Sequence, residues 1–134
     1  MRIVLLTVTV FTWLLSFAHA ATLDSARVLI DSGWVNKARA ILEPILQSNP
    51  ANAEAHYLQG RVYLAFRNHR QAERHLKRAS ELDDSRYEYF LNYGNALAPQ
   101  AVRDGQATAA YHAGLRAYER AVELAPDSTG PRVA

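Results

Sequence analysis

Apolar residues recur along this chain at three- and four-residue steps, in short blocks separated by glycine, asparagine and proline. That pattern predicts amphipathic helices joined by tight turns. The clearest pair spans 53–86, with one helix expected over 53–66, a break at Arg67-Asn68-His69, and a second helix over 70–82. Small residues fall where the two would cross: Gly60 on the first, Ala72 and Ala79 on the second. Helices approach closely only where side chains are small, so the spacing describes a tight hairpin. Upstream, a helix is expected over 22–32, with Leu23, Ala26, Val28, Leu29 and Ile30 as its apolar set and Gly33 as its stop. A second should run over 35–47, burying Ala38, Ile41, Leu42, Ile45 and Leu46, with Pro44 bending it and Ser48-Asn49-Pro50 turning the chain. Downstream, a helix over 86–97 carries Phe90, Tyr93 and Gly94 and takes its cap from Asp83-Asp84-Ser85. Pro99 and Gly105 predict a break over 98–106, after which Asp104 would cap a last helix over 107–124, ended by Pro126.

A single hairpin cannot bury its apolar face, which directs attention to internal copies. At an offset of 34 residues Ala26 matches Gly60, Gly60 matches Gly94, Ala38 matches Ala72, and Leu42 matches Leu76. Arg27 matches Arg61, and Leu29, Tyr63 and Leu97 form one series. The third copy needs an offset of 42 in its second helix, where Gly114, Tyr118, Ala121 and Leu124 answer Ala72, Leu76, Ala79 and Leu82. The eight added residues fall in 99–106. A 34-residue helix–turn–helix period with small residues at these points resembles the tetratricopeptide repeat. The resemblance implies an all-α chain, an α-α superhelix of about three repeats, over 21–52 (with a short first helix), 53–86 and 87–128, and a tail over 129–134. Two departures stand out: the family's usual tryptophan is His56 in the second copy and Phe90 in the third, and the third copy carries the insertion.

The resemblance also implies where a partner would sit. Leading helices of such repeats line a concave groove that takes an extended peptide or a partner's helix. The positions it designates are Leu23, Arg27 and Ile30, then Tyr57, Arg61 and Leu64, then Leu91, Asn95 and Ala98. Arginine can fork onto a carboxylate, and an asparagine amide can pair with a peptide bond. Relatives that grip the acidic carboxy-terminus of chaperones use lysine, asparagine and arginine at set positions. Leu23, Arg27, Leu58, Glu88 and Asn92 stand there instead, so that clamp is missing. Because no polar-faced helix fits after the last repeat, the surface around Leu115, Tyr118 and Val122 is expected to meet another protomer or a partner.

Residues 1–20 add a location. Arg2, an apolar run over 3–17 and the small residues of Ala18-His19-Ala20 read as a secretory signal cleaved before Ala21. The competing reading is a retained anchor, although the run is shorter than the ~20 residues a spanning helix needs. Only in that second case would the protein be membrane-tethered. Formal net charge is +2 with no cysteine, which excludes disulfides, thiolate metal sites and a lipidated cysteine, and gives no general attraction to nucleic acid.

The remaining chemistry is sparse. Arg67, Arg70, Arg74, Lys77 and Arg78 form a basic stripe, for which an anionic partner competes with a plain solvated face balanced by Glu81, Asp83 and Asp84. His56 is expected to pack, with His69, His75 and His112 in solvent and no metal spacing among them. Tyr93 and Tyr118 fall on packing positions, leaving Tyr87, Tyr89 and Tyr111 as rim contacts. No nucleophile motif, carboxylate pair or phosphate loop appears, and no cofactor is implied. The expected function is a non-enzymatic interaction scaffold of the cell envelope. A membrane-anchored assembly or secretion factor and a ligand-binding protein are the alternatives.

Overall fold

The computed structural model describes residues 22–104 and 108–125; the expected secretory signal and its expected cleavage site, Gly105, Pro126 and the tail lie outside the described residues. Six helices and no strand are found among the described residues. They are α1 over 22–31, α2 Val35–Ser48, α3 Ala53–Ala65, α4 His69–Leu82, α5 Tyr87–Asp104 and α6 Ala109–Leu124. Successive helices pack antiparallel as three stacked hairpins, an all-α superhelix whose core runs through Ala26, Leu42, Leu58, Leu76 and Tyr89.

The first two hairpins turn in the same way, bond for bond. Gly33 N–H donates to the Ile30 carbonyl at 3.0 Å, and Arg67 N–H to the Leu64 carbonyl at 2.9 Å. Trp34 N–H donates to Leu29, and Asn68 N–H to Tyr63. These are paired 5→2 and 6→1 bonds closing a helix through one left-handed residue. Gly33 takes that conformation at φ +81° without steric cost; Arg67 takes it at φ 56°, which costs a non-glycine residue roughly 1 kcal/mol. Asn68 then caps α4 through its side chain, as Asn52 caps α3.

Inside the second and third hairpins the helices meet over a missing side chain. A Cβ on Gly60 would lie 2.5 Å from Leu76 Cγ, and one on Gly94 would lie 2.7 Å from the Tyr118 ring. Leu76 is fully buried, so it has nowhere to retreat.

The third hairpin departs from expectation. No break occurs over 98–104: α5 runs through Pro99 to Asp104. Proline removes the bond to the carbonyl four residues back, here that of Asn95, but Pro99 and Asn95 are both exposed, so water satisfies that carbonyl. Pro44 sits inside α2 under the same conditions, beside exposed Ala40. Asp104 therefore ends α5, bonded to Arg103 at 2.8 Å, and the cap of α6 is Thr108, which accepts from Tyr111 N–H. Nor does Asp83-Asp84-Ser85 cap α5. Asp83 accepts from both Ser85 N–H and Ser85 Oγ, closing the turn and holding its own carboxyl below the usual range.

The Gly60 contact generates a test. Gly60→Ala should cost about 1–3 kcal/mol by overpacking, and Leu76→Ala about 2–5 kcal/mol by leaving a cavity. In the Leu76→Ala background, Gly60→Ala should become neutral or stabilising, because its clash partner is gone and helix propensity favours alanine. Urea denaturation of the four chains measures this cycle; additive losses would refute the contact.

Candidate functional site

The leading helices α1, α3 and α5 carry the residues expected in the groove. They do not form a row of free side chains. Leu23 and Tyr57 are buried, and Ile30, Leu64 and Leu91 are half-buried. Arg27 on α1 pairs with Glu54 on α3, while Asp31 on α1 accepts from Arg61 Nη2 on α3 at 2.6 Å. Two ion pairs of opposite sense thus span the same pair of helices. Arg61 also lies over the Tyr57 ring, 5.9 Å from its centroid, and Tyr57 packs on Tyr89 with ring centroids 4.8 Å apart. Burial raises the pKa of both phenols, which Arg61 partly offsets at Tyr57, so both stay neutral under the arginine. Asn95 accepts from the Tyr118 hydroxyl at 3.0 Å. Each polar groove residue named from the sequence therefore already has an intramolecular partner.

Two aromatic assignments need correcting. Tyr89 is not a rim residue but is 2% exposed in the core, and its register explains this: it occupies the position of Ala55, which is also fully buried. Tyr111 lines a cavity of about 400 Å³ between α5 and α6, with Gly94, Ala98, Val102, Leu115 and Tyr118 around it. In this hairpin α5 runs five residues beyond the point that corresponds to the end of α3.

His75 is also not solvated. Its Nδ1 lies 3.0 Å from His56 Nδ1, and its ring stacks on Tyr63 with centroids 5.5 Å apart. His56 Nε2 lies 3.0 Å from the Pro50 carbonyl and so must donate to it. Neutral His56 then has a bare Nδ1, which accepts from His75 Nδ1–H. Burial, the His56 ring and Arg74 lower the His75 pKa to about 4; burial chiefly lowers that of His56, with Arg78 adding to it against the Pro50 bond. The pair links α3 to α4 across nineteen residues of sequence, beyond the reach of local spacing. Among the described residues, no three His, Cys, Asp or Glu side chains converge to hold a metal ion.

The basic stripe divides in two. Lys77 and Arg78 approach Glu81, at 4.0 and 3.7 Å. Arg70 and Arg74 on α4, with Arg67 in the turn, are exposed and meet no carboxylate among the described residues.

Comparison with known proteins now decides the architecture. Residues 29–92 match the tetratricopeptide repeat family. That stretch is a tetratricopeptide-repeat region. Superkiller complex protein 3 of Mus musculus is 40% identical over 65 residues, 48% of this chain and 4% of that protein. The Thermobaculum terrenum O-GlcNAc transferase superposes with TM-score 0.71 at 30% identity, over 84% of this chain and 20% of that one. The second tetratricopeptide repeat domain of Spaghetti (RPAP3), bound to an HSP90 peptide, gives TM-score 0.67 at 18% identity, over 79% of this chain and 91% of that one. MamA from Desulfovibrio magneticus RS-1 gives 0.63 at 21%, over 83% and 58%. The chain thus spans a small fraction of the curated relative and of the transferase, and the last two likenesses concern the fold alone. Tetratricopeptide repeats are generally non-catalytic and serve as protein-interaction scaffolds. Within this family His56 stands at the tryptophan position, so the histidine pair fills a packing site rather than a groove site.

The histidine pair makes stability depend on pH. Both folded-state pKa values lie below the ordinary histidine value of about 6.5, so the unfolded chain binds protons first. Their stabilising contribution is complete above about pH 6.5 and is lost progressively towards pH 4. Thermal melts across that window should show the loss, and His75→Phe, which keeps the stack on Tyr63, should flatten it. An unchanged slope in His75→Phe would refute the assignment.

Proposed function

We propose that this protein is an exported scaffold of the cell envelope that holds a partner's peptide or helix along the concave face of its repeats. The observation that supports this reading is the state of Arg61. It is half-buried, held by Asp31 on one side and by the Tyr57 ring and hydroxyl on the other, and its five N–H donors outnumber those acceptors. Asp31 is itself largely exposed, so the existing pair is weak and a partner's carboxylate can replace it at little cost. Arg27 and Asn95 flank this position along the groove, and Leu64 and Leu91 supply apolar contacts. The secretory reading of 1–20 places the scaffold beyond the inner membrane. Intact mass of the protein recovered from envelope fractions checks that part: a mature chain beginning at Ala21 is the expected result.

A photo-crosslinker at Leu64 should identify the partner in cells. Arg61→Ala should then weaken its affinity about tenfold, the loss of one charge-assisted hydrogen bond. Asp31→Asn should strengthen it by freeing the guanidinium. No change in either variant would sink the groove reading.

A second contact is favoured by the exposed apolar side chains of α6. Leu115 and Val122 on α6 are 42% and 46% exposed beside the α5/α6 cavity, and self-association through this face would cover them. Sedimentation equilibrium should show a concentration-dependent dimer that Leu115→Glu abolishes. A monomer at all concentrations would remove this contact and leave the groove reading standing.

A further inference from the structure

A stack of hairpins has two long edges besides its concave and convex faces. One edge collects the turns inside the hairpins, the other the turns between them. The two edges differ sharply in this molecule. Between hairpins lie Ser48-Asn49-Pro50 and Asp83-Asp84-Ser85, polar or acidic, with no large apolar side chain among them. At the turns inside the first two hairpins a large apolar residue faces water, Trp34 at 58% exposure and Phe66 at 42%, and in the third hairpin Val102, in the last turn of α5 beside the cavity, is 85% exposed. Trp34, Asn68 and Val102 are successive members of one 34-residue series, and Phe66 lies two residues before Asn68, so the three apolar groups fall on one edge.

Cations accompany each of them. Lys37 Nζ sits 4.3 Å from the Trp34 ring centroid, Arg67 and Arg70 bracket the second turn, and Arg103, already paired with Asp104, follows Val102. The acids nearby are engaged or turned away. Asp31 binds Arg61, Asp104 binds Arg103, and Glu73 acts on Tyr93 towards α5. The free half of the basic stripe, Arg67, Arg70 and Arg74, is the half next to this edge.

Arg67 adds an independent observation. The first hairpin fills the same left-handed position with Gly33, so the turn has a strain-free solution available, yet the second hairpin carries a long cation there. A side chain retained against backbone preference points to a use for it outside the fold.

We propose that this edge docks on an anionic lipid surface. Indole and phenyl rings settle at the headgroup level, and arginine and lysine beside them meet lipid phosphates. The opposite edge, polar at its first turn and acidic at Asp83 and Asp84 of its second, would then face away, orienting the superhelix with its groove running along the surface. This contact is peripheral, because no helix among the described residues is long and apolar enough to cross a membrane. It is separate from the groove, so either reading can fail without the other.

Co-sedimentation of the full chain with phosphatidylcholine vesicles, with and without phosphatidylglycerol, tests the proposal. Neutral vesicles measure whatever the apolar amino-terminal segment contributes; the anionic excess measures the edge. Arg67→Gly and Arg70→Gln should each lower the anionic partition coefficient about fivefold, additively, with binding falling as salt rises. Arg67→Gly relieves the left-handed strain, so it should melt no lower than the parent protein, and its loss of binding cannot be misfolding. Tryptophan emission should shift to the blue on anionic vesicles, and Trp34→Phe should remove that shift. Equal binding to both vesicle types would overturn the proposal, as would a full anionic preference in the double variant. Binding to soluble polyglutamate with none to anionic vesicles would overturn it in favour of an acidic protein partner.

Discussion

Leu76 rests where Gly60 has no side chain, and Tyr118 rests in the same way over Gly94. Everything else in this molecule depends on those two close approaches. They set the distance between the helices of the second and third hairpins, and that distance decides whether the small residues Ala72, Ala79 and Ala121 can be sealed from water. With the hairpins formed, the next layer follows. Leading helices stand side by side, close enough for Arg27 to reach Glu54 and for Asp31 to reach Arg61. A methyl group at Gly60 would loosen the hairpin from which two of those four groups project.

Much of this arrangement was legible before any coordinates, because a repeated packing problem leaves a repeated solution. The matches at an offset of 34 located the first four helices to within a residue or two. Readings went wrong where a single residue was judged without its counterpart. Tyr89 read as a rim aromatic, although its counterpart Ala55 belongs to a core face. Asp83 read as a helix cap, although Asn49, 34 residues earlier, accepts from Ala51 N–H in the same way that Asp83 accepts from Ser85. Pro99 read as a break because proline opposes helices in general; the exposure of the carbonyl it orphans was the deciding quantity, and sequence does not carry it.

The candidate site was legible only in outline. Register placed Arg27, Arg61 and Asn95 on leading helices, but not the partners that hold them. Those partners lie 27, 30 and 23 residues away, and their distances follow from how the hairpins stack. The histidine pair was invisible for the same reason. His56 and His75 face each other because α3 and α4 cross at Gly60, and no local pattern signals a contact that one helix makes only through the placement of another.

The crossed ion pairs have a mechanical side. Arg27 with Glu54 and Arg61 with Asp31 act as two ties between the first and second leading helices, and their length helps to set the angle between those repeats. A carboxylate arriving at Arg61 exchanges one anion for another and releases Asp31, the end of the α1 tie. On the proposed groove reading, filling the groove and the spacing of those two helices would be coupled only as strongly as the exposed Arg61–Asp31 pair holds them, and that coupling would be reciprocal.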